Sequence, residues 1–147
     1  MNCKINLIEL RDSLIYKRRN TTSECKVSQH ICAILKDGVP ISYGINNYTP
    51  NKPIIEHAEA HAFRKLLQHI DKSAKRVKID IFVVRTNGSN SKPCTRCIDL
   101  MQSYKNQFNI RNIYYSAKDS INGIRCVKFS KLVDEERHVC SYDRWEK

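Results

Sequence analysis

The chain has 147 residues, 41% of them hydrophobic, with four Gly and four Pro; this composition excludes a disordered or fibrous protein and fits one globular domain. No apolar run approaches the roughly 18 residues that a membrane-spanning helix needs, and charges interrupt the first twenty residues, so we expect neither a membrane segment nor a secretory signal. The formal net charge of +11 leaves two interpretations open, a solvated basic surface and a polyanionic partner.

The chain contains seven cysteines, an odd number. Without a secretory signal we expect them to be reduced, in an intracellular, cytoplasmic protein. Cys32 and Cys126 lie in apolar stretches and are predicted to be small core residues. Cys94 and Cys97 are the exceptional pair, three residues apart.

The first part of the chain predicts a helix followed by a hairpin. Residues 5–19 place apolar positions among charges as an amphipathic helix does, and residues 29–36 and 39–45 predict two strands. Asp37-Gly38 between the strands predicts a tight turn, because both positions tolerate a positive φ. Pro40 cannot donate to a neighbouring strand, which predicts that 39–45 lies at a sheet edge.

The rest of the chain alternates helices and strands. In chain order it predicts a helix at 56–70, a strand at 79–84, a loop at 87–91, a helix from 93 to about 104, and strands at 110–115 and 124–129. The run at 79–84 is apolar and β-branched, which predicts a central strand covered on both faces. From about Leu132 the pattern fits helix or irregular structure.

This order predicts a single domain over residues 1–147, a three-layer α/β/α sandwich around a five-stranded mixed sheet. Helices between consecutive strands imply parallel pairing. Only about eight residues separate the last two strands, fewer than the dozen or so that a parallel crossover needs. We therefore predict that these two strands are antiparallel, with no helix between Ser116 and Ile124.

Two short motifs carry candidate chemistry, His57-Ala58-Glu59 and Pro93-Cys94-Thr95-Arg96-Cys97, and both fall where a helix is predicted to begin. Cys94 and Cys97, three residues apart, share a helix face and can hold one ion. His57 and Glu59 could not share a target from the middle of a helix, but from the first turn their side chains converge over the helix end.

The charges of these groups fit a catalytic zinc ion. Two thiolates and one neutral imidazole neutralise Zn²⁺ and leave a fourth position for water. The two helix N-termini add positive partial charge, which lowers thiol pKa values. Glu59, close to the ligands, is placed to take a proton from that water and to pass it on.

The paired motifs resemble the H-x-E…P-C-x-x-C signature of the cytidine deaminase-like superfamily. The similarity covers a zinc-binding core of residues 29 to about 130, including the predicted hairpin ending in Gly44-Ile45-Asn46. The resemblance implies that His57, Cys94 and Cys97 bind zinc. It also implies that Glu59 shuttles the proton in hydrolytic deamination of a cytosine-type base.

The resemblance implies substrate contacts as well. Asn46 matches an asparagine that touches the nucleoside, and Tyr48 takes the place of an acidic residue that binds the ribose in cytidine deaminases. Tyr115, at a strand end, is a candidate contact for the base. The substrate is expected to be a nucleotide or nucleoside, with nucleic acid open and no membrane. The missing acidic residue and the +11 charge favour a nucleotide, and the resemblance implies a homo-oligomer.

Other interpretations stay open beside this one. His57 and His61 could complete a closed Cys₂His₂ structural site without a catalytic position. A redox Cys-x-x-Cys motif would give His57 and Glu59 no function. A catalytically silent deaminase fold that binds nucleic acid or protein would not need Glu59. The remaining histidines are predicted to be surface or hydrogen-bonded groups, namely His30, His69 and His138.

Overall fold

A computed structural model of the chain describes residues 6–20, 29–49, 54–70 and 75–134, and predictions for the other residues, including His138, lie outside it. The described residues form four α-helices and seven strands: α1 Leu7–Arg19, β1 His30–Lys36, β2 Val39–Ile45, β3 Asn47–Thr49, β4 Ile54–Glu56, α2 Ala58–Leu67, β5 Val77–Arg85, α3 Thr95–Ser103, β6 Phe108–Ser116, β7 Ile124–Lys128 and α4 Phe129–Asp134.

Five strands form a mixed sheet in the order β2-β1-β5-β6-β7. The sheet confirms β2 as an edge strand, β5 as the central strand, and the antiparallel pairing of β6 with β7. The tight turn is also confirmed, with φ of 52° at Asp37 and 80° at Gly38. Between Ser116 and Ile124 the chain forms a single 3₁₀ turn, Ile121–Gly123, and no crossover helix.

The sequence implied that β2 and β5 pair directly as parallel neighbours, and the direct pairing is wrong. The two strands run in the same direction, but β1 lies between them and pairs antiparallel with both. The reason is burial, because five consecutive residues of β1 are buried, whereas β2 has exposed positions and carries Pro40. The more apolar strand of the hairpin therefore takes the inner place.

The helices cover both faces of the sheet, which confirms the three-layer sandwich. α1 packs on one face around Leu14 and Phe82, and α2 and α3 pack on the other around Phe63 and Met101. Phe63 stacks on Tyr104 with ring centroids 5.1 Å apart. No helix in the described ranges combines the length and the apolar character needed to span a membrane.

Several boundaries differ from the prediction. The small β3–β4 hairpin was not predicted. Because β4 ends at Glu56, α2 begins at Ala58 and not at residue 56 as predicted. α4 begins at Phe129, which shortens the predicted last strand by one residue. Cys126 was predicted in the core but is exposed, because β7 is an edge strand whose burial is low throughout. Cys32 is fully buried as predicted.

Gly44 fixes how closely α2 approaches β2. A Cβ atom at this position would overlap the backbone nitrogen of Ala62 and the carbonyl oxygen of Ala58. Ser42, two residues earlier, donates a hydrogen bond to the Ala62 carbonyl at 2.8 Å. The N-terminal turn of α2 is therefore held directly against the sheet.

We expect Gly44→Ala to lower the free energy of unfolding by about 1–3 kcal/mol or more, because the helix backbone must move away from the strand. Chemical denaturation measures this loss. Val39→Ala changes an exposed residue of the same strand and should cost about 0.5 kcal/mol or less. An unchanged stability of Gly44→Ala would contradict the close approach of helix and strand.

Candidate active site

Three metal-ligand side chains meet where α2 and α3 begin. His57 and Cys94 are the N-cap residues of these helices, and both have extended backbone conformations. Their carbonyls accept the first helical hydrogen bonds, from His61 N–H and Ile98 N–H. The side chains are thus available to face each other and Cys97, which lies in the first turn of α3.

The ligand atoms have the spacing of a tetrahedral zinc site. His57 Nδ1 lies 3.1 Å from Cys97 Sγ and 3.5 Å from Cys94 Sγ, and the two Sγ atoms are 3.8 Å apart. Zinc bonds of about 2.3 Å to sulfur and 2.0–2.1 Å to nitrogen place tetrahedral ligand atoms about 3.5–3.8 Å apart. The three residues therefore fit the zinc ion that the sequence predicts, with small adjustment at the His57–Cys97 edge.

His61 does not join this cluster in the described part of the chain. All three ligand atoms of His57, Cys94 and Cys97 lie within 4.8 Å of one another, and His61 is not among them. Its Nδ1 accepts a hydrogen bond from Ile45 N–H at 3.0 Å. His61 is a hydrogen-bonded histidine of the helix face, and the closed Cys₂His₂ interpretation loses its fourth ligand.

The pKa values of the two cysteine thiols are shifted in opposite directions. The hydrogen bond with Cys97, assisted by the one with His57, lowers the pKa of Cys94 to about 4. The same pairing with Cys94 and then burial raise the pKa of the Cys97 thiol. Binding of a metal ion through both sulfur atoms therefore displaces the proton of the Cys97 thiol.

Glu59 lies beside the ligands, buried with 6% of its surface exposed, in the first turn of α2. Burial raises the pKa of its carboxyl, the positive charge of His57 opposes that effect, and the side chain reaches Cys97. Because burial favours the neutral form of this carboxyl, and because it is not needed as a ligand, Glu59 can take up a proton and give it back beside the metal site.

The three predicted substrate contacts have different surroundings. Asn46 is buried, and its Oδ1 accepts hydrogen bonds from His30 N–H at 2.9 Å and from Arg18 Nη2 at 3.2 Å. Tyr48 pairs with Ile55 through the backbone, and its side chain is outside the described part of the structure. Tyr115 packs in the same core cluster as both cysteines. All three contacts stay predictions.

Two further residues lie near the site: His30, which was predicted from the sequence to be a surface or hydrogen-bonded group, and Arg85, which was not considered. His30 begins β1 and Arg85 ends β5, and the two are directly opposite in the antiparallel register. The signals in the sequence were weak. His30 shares strand parity with buried Cys32, and Arg85 is a charge at the end of an apolar run.

A buried serine pair holds the loop that leads to Cys94. Ser91 Oγ donates to the Val83 carbonyl at 2.6 Å and lies 2.9 Å from Ser116 Oγ. Ser116 Oγ donates to the Ser89 carbonyl at 2.8 Å. Ser91 and Ser116 are both buried, so these bonds tie β5 and β6 to the segment three residues before the metal ligand.

We expect Ser91→Ala to lower the free energy of unfolding by about 1–3 kcal/mol, because it removes the hydroxyl that bonds the buried Val83 carbonyl and the Ser116 hydroxyl. Zinc affinity should fall with it, since the Cys94 loop loses one of its attachments to the sheet, while the backbone bond from Ser91 N–H to the Ser116 carbonyl remains. Denaturation and competition with a zinc chelator measure the two effects. Ser103→Ala removes an exposed hydroxyl and should leave the stability and the zinc affinity nearly unchanged. Equal behaviour of the two variants would contradict the role of Ser91 in holding the Cys94 loop.

Comparison with known proteins agrees with this geometry. Residues 8–117 match the family described as the cytidine and deoxycytidylate deaminase zinc-binding region. The fold is similar to the cytidine deaminase of Mycobacterium leprae, with a TM-score of 0.60, 16% identity, and coverage of 90% of this chain and 100% of that one. No curated protein sequence matches significantly.

Two further structures show the same fold. The cytidine deaminase of Burkholderia pseudomallei matches with a TM-score of 0.61, 14% identity, and coverage of 84% and 93% of the two chains. The dCMP deaminase of cyanophage S-TIM5 matches with a TM-score of 0.53, 16% identity, and coverage of 86% and 90%. The chain belongs to the cytidine and deoxycytidylate deaminase zinc-binding family. Its cofactor is zinc, with His57, Cys94 and Cys97 placed to bind it.

Proposed function

We propose that this protein is a hydrolytic deaminase that replaces the amino group of a cytosine-type base, carried by a nucleotide, with oxygen from water and releases ammonia. The observation that carries the proposal is the buried Glu59 carboxyl beside the three ligand atoms. A zinc module that only binds a partner has no use for a buried carboxyl at this place, where burial costs free energy.

Each group of the site has a task in this reaction. Zinc, when bound, supplies Lewis-acid activation of a water molecule at neutral pH. Glu59 accepts one proton from the attacking water and delivers it to the ring nitrogen, then takes the remaining proton from the hydroxyl now on the ring carbon and delivers it to the departing amine. A carbon–oxygen bond forms at the ring carbon, the carbon–nitrogen bond to the amine breaks, and the products are the oxo base and ammonia.

The family and the similar structures support the substrate class. The matching structures are named as cytidine and dCMP deaminases, and this supports cytosine nucleosides and nucleotides as candidate substrates. The +11 charge of the chain favours an anionic member of that class. The antiparallel β7 favours a small substrate over a polynucleotide, because the connection between β6 and β7 contains no crossover helix that would extend this side of the fold.

Ammonia release by the zinc-loaded protein tests the proposal across cytosine and adenine bases, nucleosides, nucleotides and a short single strand. We expect turnover of a cytosine nucleotide, with a shallow dependence on salt because a mononucleotide offers few phosphate contacts. A steep loss of rate between about 50 and 200 mM salt on the single strand alone would favour nucleic acid instead. No turnover of any substrate would contradict the proposed function.

A further inference from the structure

An arginine and a histidine lie side by side where two inner strands of the sheet, β1 and β5, begin and end. His30 and Arg85 are directly opposite in the β1–β5 register, so their side chains project from the same face of the sheet. Two residues further along, Cys32 and Val83 are also opposite and belong to the core cluster that contains Cys94 and Cys97. By the two-residue period of strands, His30 and Arg85 therefore face the metal side.

Arg85 has a buried donor without an acceptor. Its Nε is buried and has no hydrogen-bond partner, and no carboxylate within the described ranges lies at ion-pair distance from its guanidinium. A buried guanidinium donor without a partner costs free energy, because it loses hydrogen bonds to water. An anionic group that enters from outside would supply the missing acceptor.

The neighbourhood of Arg85 is positive. Burial and then the charge of Arg85 lower the pKa of His30 to about 4, and His57 acts in the same direction. Arg18, fully buried in α1, donates to the His30 carbonyl at 3.0 Å. With its pKa lowered to about 4, His30 is neutral at pH 7, and a neutral imidazole carries one N–H donor.

We propose that Arg85, with His30 beside it, binds a phosphate group of the substrate and makes the enzyme selective for a cytosine nucleotide over the nucleoside. This inference rests on the proposed deaminase function, because the ligand is the substrate of that same site. The Arg85 guanidinium can contact two phosphate oxygens at once, which a single-point donor cannot do.

The test compares cytidine, its 5′-monophosphate and a short cytosine-containing single strand on the zinc-loaded protein. For Arg85→Gln we expect kcat/KM on the monophosphate to fall about 10- to 100-fold, the range expected for loss of a charge-assisted contact, with kcat/KM on cytidine nearly unchanged. Arg85→Lys should keep part of the selectivity. Arg76→Gln removes the same charge just before the other end of β5, where Arg76 donates to the Lys105 carbonyl, and should leave selectivity intact.

The outcomes separate this inference from the proposed function. Equal loss on cytidine and on its monophosphate would overturn the phosphate contact and leave Arg85 a structural role. A loss confined to the single strand would assign the contact to a nucleic-acid backbone and overturn nucleotide selectivity.

If no substrate is turned over, the proposed function fails. Calorimetric affinities of wild type and Arg85→Gln for the monophosphate and for cytidine then decide the Arg85 contact, and equal affinities would refute it. If Arg85→Gln does not fold, the same comparison of kcat/KM on the monophosphate and on cytidine is made with Arg85→Lys.

Discussion

The Cys94→Ser, Cys97→Ser double variant is expected to lose zinc completely, whereas the wild type should purify with about one zinc ion per chain. The physical reason is that the two thiolates supply two of three protein ligands and cancel the charge of the ion. Zinc at a thousand times its dissociation constant stabilises a folded protein by about 4 kcal/mol, and the variant should lose this gain. Elemental analysis and melting temperature with and without added zinc measure both effects.

Cys126→Ser is the matched control for that experiment. Cys126 is exposed on β7 and lies outside the ligand cluster, so its variant should retain zinc and the stabilisation by zinc. Stoichiometric zinc in the double variant would show that the ion is bound elsewhere in the chain, and the assigned metal site would then be wrong.

Glu59→Gln is expected to keep the fold and the zinc ion but to lose about 10²- to 10⁴-fold in kcat, because an amide of the same shape cannot take up the proton. Single-turnover rates and zinc content measure the two properties separately. Loss of zinc in this variant would make Glu59 a ligand and contradict its assignment as the proton carrier.

Glu56→Gln is the control for the Glu59 variant. Glu56 forms a two-point ion pair with Arg64, with both nitrogen–oxygen distances at 2.9 Å, near the protein surface. Its loss should cost at most about 1 kcal/mol of stability and leave kcat unchanged. The comparison thus separates the removal of a carboxylate near α2 from the removal of the catalytic one.

The metal ligands were predictable because their chemistry and their local structure coincide in the sequence. Both motifs stand at helix starts, and the structure makes His57 and Cys94 the N-cap residues of α2 and α3. The sheet edge at β2 was predictable from Pro40, and the antiparallel β7 from the length of its connection. In each case a short-range property of the chain decides the outcome.

Features that depend on long-range pairing were not predictable. The position of β1 between β2 and β5 reflects competition between two strands for the inner place, and the exposure of Cys126 follows from the edge position of β7. His30 and Arg85 are 55 positions apart and become neighbours only through the register of β1 with β5. The single-domain, cytoplasmic and homo-oligomeric predictions stay predictions.

The substrate contacts illustrate the same limit on inference from motifs. Asn46 was predicted from the resemblance as a nucleoside contact, and the structure reveals a second use of its side chain as a link to β1 and α1. Because Asn46 Oδ1 already accepts two hydrogen bonds, a substrate that contacts Asn46 has to share that oxygen or use the amide nitrogen.

The most direct test of the zinc deaminase assignment is mass spectrometry of a cytosine nucleotide after incubation with the zinc-loaded protein in water enriched in oxygen-18. We expect a product in which the amino group is replaced by one oxygen atom from the solvent, with one ammonia released per turnover, and almost none of this product with Glu59→Gln. A zinc-loaded, folded protein that converts neither the nucleotide nor cytidine would contradict the assignment.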